Sequence, residues 1–191
     1  EVNRQMSPYL PDSEISRFNR AEAHESVAIS PDFQYVVHRA VEIAAASGGA
    51  FDPTVGALVN LWGFGPDGLR RDAPAADPIA AARRKTGWRH LSVGDDGQLA
   101  KDVPDLQLDL GAIAKGYGVD RVATLLRARG IRNFLVEIGG ETLGNGVNAS
   151  GEPWRVGVLK PDGSPDLHGV ARLTGDAALA TSGDYRNFRI G

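Results

Sequence analysis

The spacing of apolar residues changes along the chain, and each change predicts a different element. In "SPDFQYVVHRAVEIAAASGG", Phe33, Val36, Val37, Ala40, Val41 and Ala44 recur every three or four residues, the period of one helix face. Ser30 stands as the cap, Pro31 occupies the first helical position, and Gly48 and Gly49 end the helix. In "YLPDSEISRFN", Ile15 and Phe18 share one side of a shorter helix, with Asp12 after Pro11 as its predicted cap. "AFDPTVGALVNLWGFGPDG" opens on an Asp-Pro turn and runs through Val55, Leu58, Val59 and Trp62 into glycines alternating with aromatic residues. "DPIAAARRKTG" predicts a helix capped by Asp77, and "WRHLSV" before "GDDGQL" predicts a strand entering a hairpin turn. The stretch "GPDGLRRDAPAADP" between them is a loop rather than a domain boundary.

Farther on, "LQLDLG" alternates like a strand ending at Asp109. Val119, Val122, Ala123 and Leu126 then mark the stripe of a helix that stops at Gly130, and "FLVEIGG" begins another strand. This order predicts a crossover unit, with the turn after the first strand and the helix start at one edge. The linking stretch "DLGAIAKGYGVD" places Gly111 and Gly116 five apart, as a phosphate-binding loop does, but Tyr117 stands where that pattern demands Lys. Free N–H groups at a helix start favour an anion, the glycines admit close approach, and Lys115 adds a cation. Asp109 would repel a phosphate unless a cation, hydroxyl or amine lay between them, so a pyrophosphate with a divalent cation reconciles the set. Taken alone, the same residues also read as a helix cap and a solvated lysine.

Composition narrows the classes. The 191 residues are 42% hydrophobic, enough for one or two cores. A net charge of −3 supplies no basic field for nucleic acid. The absence of cysteine removes disulfides, thiolate metal sites and cysteine nucleophiles. No apolar run approaches the roughly 20 residues that span a bilayer. The opening "EVNRQM" lacks an initiator Met and the charged flank and apolar core of a signal peptide, which suggests a piece of something longer. His24, His38, His90 and His168 lie far apart without metal-ligand spacing. Asp52 before Pro53 reads as a turn residue or a ligand contact, Tyr9 and Phe51 as core aromatics, and Glu137 and Glu141 around Gly139 and Gly140 as a site edge or a strand end.

Six stretches taken in order decide among these alternatives: "MSPYLPDSEISRFN", "GGAFDPTVGALVNLWGFGP", "LDLGAIAKGYGVDR", "LVEIGGE", "PWRVGVLKP" and "ATSGDYRNF". Together, from Val2 to Phe188, they resemble the FAD:protein FMN transferase family, the ApbE-type flavin transferases. The resemblance implies a magnesium-dependent split of FAD at its pyrophosphate. FMN is joined through its phosphate to a Thr or Ser hydroxyl of an acceptor protein, and AMP leaves. It also implies FAD contacts at Tyr9, at Ala50, Phe51 and Asp52 of "GAFD", at Asp109 and Lys115, and at Ser182 and Gly183, with the Ala112 carbonyl as a magnesium ligand. No catalytic side chain is assigned, since the nucleophile belongs to the acceptor.

Relative to that family the chain is expected to be one flavin transferase domain over residues 1–191, incomplete at both ends. The missing parts are an earlier strand and a later segment carrying a His-Ile-Ile-Asp-Pro stretch and the Asp and Thr metal ligands, so this piece alone is expected to be inactive. The expected fold is mixed α+β, helices covering a largely antiparallel sheet, with the nucleotide at the edge formed by the turns after residues 51 and 109. Family likeness further implies a bacterial protein on the periplasmic face of the inner membrane, held by a lipid anchor outside this chain. The alternatives are an FAD pyrophosphatase releasing FMN and AMP, and a flavin-binding protein without catalysis.

Overall fold

The computed structural model describes residues 1–68 and 72–183. It contains two compact units, Glu1–Ala114 and Lys115–Gly191. Both carry helices and antiparallel strands, so the α+β class holds.

The first unit comprises α1 (Val2–Met6), α2 (Glu14–Arg20), β1 (Val27–Ala28), α3 (Pro31–Ala46), α4 (Gly56–Leu61), α5 (Ala76–Arg83), β2 (Leu91–Val93) and β3 (Gln98–Lys101). Its strands pair antiparallel in the order β1-β3-β2. Helix α3 starts and stops where its local signals put it. The Ser30 hydroxyl accepts from Phe33 N–H, Pro31 sits in the first turn, and Gly48 and Gly49 take positive φ after the last turn. Its buried stripe of Phe33, Val36, Val37, Ala40 and Ala44 joins Ile15 and Phe18 of α2 and Leu99 of β3 among the side chains closed to solvent.

Two predicted caps move. Ser13 caps α2, its Oγ accepting from Ser16 N–H at 3.2 Å and donating to Ser7 O at 2.7 Å. Asp12 lies one residue too early to reach that N–H and stays exposed. Helix α5 begins at Ala76 after Ala75, with no side-chain cap, and Asp77 instead puts its charge in the first turn. Trp88–His90 is a 3-10 turn rather than strand, and only Leu91–Val93 of the predicted run pairs with β3.

The expected strand "LQLDLG" is not one. Leu106, Leu108 and Leu110 are all buried, as the alternation required, but among the described residues the single ladder contact is a parallel bridge from Gln107 to Val55. The backbone is satisfied in other ways. Asn19 Nδ2 donates to Leu108 O at 3.0 Å and Leu108 N–H donates to Asn19 Oδ1 at 2.8 Å. Gly56 N–H reaches Gln107 O at 3.1 Å, and Asp109 N–H reaches Pro53 O at 2.8 Å. One side-chain amide thus does for Leu108 what a neighbouring strand would have done.

Lys101, the last residue of β3, is 1% exposed. Its Nζ donates to Phe18 O at 3.2 Å, Asn19 O at 3.1 Å and Leu106 O at 2.8 Å. Only the protonated amine has three donors, so donating to all three carbonyls at once requires the ammonium. Burial pulls its pKa below the ordinary value, opposed by the carboxylates of Asp105, Glu22 and Glu25. The folded state therefore holds this proton less firmly than the unfolded chain. The penalty applies in full below the lowered folded value and is relieved as pH rises from there toward about 10.4.

The second unit holds α6 (Ala114–Ala128), β4 (Phe134–Ile138), β5 (Glu141–Asn145), β6 (Trp154–Leu159), β7 (Leu167–Leu173) and β8 (Asp176–Leu179). Strands β4-β5-β8 form one antiparallel sheet and β6-β7 a hairpin. Val119, Ala123, Phe134 and Leu143 make its core, with Leu126 and Val136 packed alongside. Val122, counted in the predicted stripe, is 39% exposed. Leu173 and Trp154 of the hairpin lie over Gly144 of β5, where a Cβ would come within 3.2 to 3.3 Å of them. The predicted strand-helix-strand order is not met, because among the described residues the segment before α6 forms no strand, whereas β4 after it pairs antiparallel with β5.

Candidate functional site

The first unit contains a cavity of about 170 Å³. Its wall includes Asn19 and Arg20 from the end of α2, Gly56 and Asn60 from α4, Asp67, and Gln107 to Asp109. The polarity of this lining follows from the local folding. Asn19 faces it because its amide clasps Leu108, and Asn60 Nδ2 donates to Gln107 Oε1 at 3.0 Å, which leaves Asn60 Oδ1 buried and unpartnered. Gly56 is required where α4 starts against the wall, since an added Cβ would meet Gln107 O at 2.8 Å and Leu108 O at 3.0 Å.

Asp109 closes one side of the cavity. Its Oδ1 accepts from Gly111 N–H at 2.7 Å, a turn that leads through Gly111, Ala112 and Ile113 into α6. Ala112 is exposed in that turn. A Cβ on Gly111 would meet Asp109 Oδ1 at 3.0 Å, whereas one on Gly116 would meet nothing within 4 Å.

Asp52 is held on both carboxylate oxygens. Oδ1 accepts from Thr54 N–H at 2.8 Å and Thr54 Oγ1 at 2.6 Å, and Oδ2 accepts from Trp88 N–H at 3.2 Å. Thr54 in turn accepts from Gly87 N–H at 2.7 Å. Within the protein Asp52 is thus a turn residue that fixes the loop before α4. Ala50 is exposed, and Phe51, half-buried, donates its N–H to Ser47 Oγ at 3.1 Å. Tyr9, a core residue by default and an FAD contact by the resemblance, is 65% exposed, its hydroxyl 3.5 Å from Phe64 O. An aromatic ring presented to solvent in this way is available to stack on a planar ligand.

In the second unit Lys115 is exposed but tethered. Its Nζ donates to Gly139 O at 3.1 Å and pairs with Glu141 Oε1 at 2.6 Å. Gly139 and Gly140 form the two-residue turn between β4 and β5, both with positive φ, and Glu137 Oε1 accepts from Gly140 N–H at 2.8 Å. Glu137 and Glu141 therefore hold the turn and the lysine, and Glu141 Oε2 is left buried without a partner. Thr181, two residues past β8, approaches the same turn, with Oγ1 3.7 Å from where a Gly140 Cβ would stand. Ser182 and Gly183 follow it, exposed and outside any element. The remainder of the "ATSGDYRNF" stretch, residues 184–188, lies outside the described residues.

Of the four histidines, His90 pairs its Nδ1 with Asp102 Oδ1 at 2.7 Å on the surface. Among the described residues no group of three or more His, Cys, Asp or Glu is placed to hold a metal ion, and no helix is long and apolar enough to cross a membrane. Away from the cavity, the Lys85 ammonium beside Asp105 holds that carboxyl below its usual range, and Ser164 does the same for Asp162. Neither belongs to the candidate site. The sequence missed Asn19, Arg20, Asn60 and Gln107. The signal available was a polar amide immediately after a buried aromatic, at Asn19 after Phe18.

A model of the ApbE family matches residues 1–191. The chain is 47% identical over 190 residues to a Vibrio cholerae protein named FAD:protein FMN transferase, covering 98% of this chain and 56% of that protein. It is 38% identical over 187 residues to the protein of that name from Escherichia coli K12, covering 96% and 53%. Among solved structures, the flavin transferase ApbE from Vibrio cholerae superposes with a TM-score of 0.90 at 44% identity, over 100% of this chain and 61% of that one. The ApbE protein of Thermotoga maritima gives 0.88 at 30% identity, over 100% and 61%. The chain thus spans about half the length of the curated relatives it matches.

Proposed function

Because the chain belongs to the ApbE family, we propose that the protein it comes from transfers FMN from FAD to a Thr or Ser hydroxyl of an acceptor protein. The observation that carries this reading is likeness along essentially the whole chain to proteins named for that transfer, rather than likeness confined to one motif. Gly116 supports it. Glycine inside a helix costs about 1 kcal/mol relative to alanine, and among the described residues no atom lies within 4 Å of where its Cβ would stand, which leaves room for a ligand against the backbone.

In the proposed reaction the acceptor Oγ attacks the phosphorus on the FMN side of the pyrophosphate. A phosphorus–oxygen bond forms to Oγ, the bond to the bridging oxygen breaks, AMP leaves with that oxygen, and the hydroxyl proton passes to solvent. This chain's part is to bind and orient FAD through Tyr9, Ala50, Phe51, Asp52, Asp109, Lys115, Ser182 and Gly183. The Lys115 ammonium, with two of its three hydrogens directed at Gly139 O and Glu141, is held for a phosphate oxygen on the third. Magnesium is the proposed ion and would neutralise charge on the pyrophosphate, with the Ala112 carbonyl as one hard oxygen ligand. Among the described residues no group of three or more His, Cys, Asp or Glu side chains is placed to add to that carbonyl. The proposed location is the periplasmic face of the inner membrane.

Incubation of the full-length protein with FAD, magnesium and an acceptor domain is expected to add one FMN to the acceptor by mass spectrometry and to release AMP in equal amount. AMP release without the added mass would indicate a pyrophosphatase. Bound FAD with neither product would indicate a passive flavin binder.

A further inference from the structure

We propose that Lys101 is a positioning residue for the cavity beside Asp109: its buried ammonium ties the end of α2 to the Leu106–Asp109 segment, so that Asn19, Arg20 and Asp109 share one wall. The inference rests on the proposed reading of Asp109, which closes one side of this cavity, as an FAD contact.

The geometry is specific. Phe18 O and Asn19 O are carbonyls at the end of α2, Phe18 O already accepting from Ala21 N–H at 3.1 Å, and Leu106 O begins the segment that carries Leu108 and Asp109. Lys101 Nζ takes all three, and the ring of Phe18 stands 5.1 Å from it. No loop contact substitutes for this junction. The only other polar link between the two elements among the described hydrogen bonds is the Asn19 clasp on Leu108, one residue from Asp109. Without the ammonium, Asn19 would keep its amide pair but lose the anchor on its own carbonyl. The cavity wall would then shift as a unit, because Asn19, Leu108 and Asp109 are joined in series. Lys101 itself is closed to solvent and does not line the cavity, so it touches no ligand and acts only through these neighbours.

The test is steady-state transfer by the full-length protein carrying Lys101→Met, a side chain of similar length with no donor. KM for FAD is expected to rise by about tenfold, with kcat at saturating FAD within about twofold of wild type, because binding geometry is lost while the reacting groups are intact. A merely structural role would lower the melting temperature and leave KM unchanged in the folded fraction, and that result overturns the proposal. If Lys101→Met does not fold, Lys101→Arg carries the same test. Arg keeps the charge but spreads its donors in a plane that cannot converge on three carbonyls, so the same rise in KM is expected, and an unchanged KM overturns the proposal. Wild-type protein that binds no FAD would overturn the functional reading and this inference together, whereas wild type that binds FAD beside a variant with unaltered KM overturns this inference alone.

Discussion

Gly56→Ala is expected to destabilise the protein by about 2 to 3 kcal/mol, the upper range for overpacking, and to weaken FAD binding. The added methyl would lie 2.8 Å from Gln107 O, 2.9 Å from Gln107 Cβ and 3.0 Å from Leu108 O. Two of these atoms are backbone and cannot rotate away. The Gly56 N–H also bonds to that same Gln107 oxygen, so moving α4 outward to make room breaks a contact on the way. Strain relieved by shifting Gln107 moves Asp109, two residues on, out of the cavity wall. Urea unfolding checks the stability, and an FAD titration of the folded variant checks the binding. A variant as stable as wild type would show that α4 and the Gln107 segment are not in contact as described.

Asn19→Ala is expected to cost about 2 to 4 kcal/mol, because Leu108 is buried and loses partners for both its N–H and its C=O. Among the described residues neither group has a strand beside it to turn to. Asn19→Asp separates the two bonds: the carboxylate still accepts from Leu108 N–H but presents no donor to Leu108 O, and two acceptors then face each other. It is expected to be no more stable than the alanine variant, measured by the same urea midpoints. Recovery of most of the wild-type stability by Asp would mean that the donor half of the clasp contributes nothing.

These two residues also mark the limit of what the sequence conveyed. Helix α3 was legible end to end because its cap, its first-turn proline, its apolar stripe and its terminal glycines are all local signals that agree. The alternation in "LQLDLG" correctly marked Leu106, Leu108 and Leu110 as buried, but it could not say what pairs their backbone. The partner, Asn19, lies 89 residues away and is a side chain rather than a strand. Helix α2 shows the same limit at short range, since Ser13 displaces Asp12 as cap through a hydroxyl that also reaches back to Ser7.

At the candidate site the split is similar. The Asp109 to Gly116 stretch was visible as glycines and charges at a helix start. The tether of Lys115 to Gly139 and Glu141 was not visible, because it depends on how β4 and β5 turn back toward α6. Asp52 was legible as a turn residue, and both its oxygens are occupied in that role. Tyr9 reads on aromatic character as a core residue and by the resemblance as a flavin contact, and the structure presents it to solvent.

The most direct measurement is a crystal structure of the full-length protein soaked with FAD and magnesium. The expected density places the pyrophosphate against the turn at Ala112, with Lys115 Nζ on a phosphate oxygen and Asp109 facing the bound dinucleotide. FAD lodged elsewhere, with the Gly111 to Gly116 stretch bare, would contradict the assignment of the site.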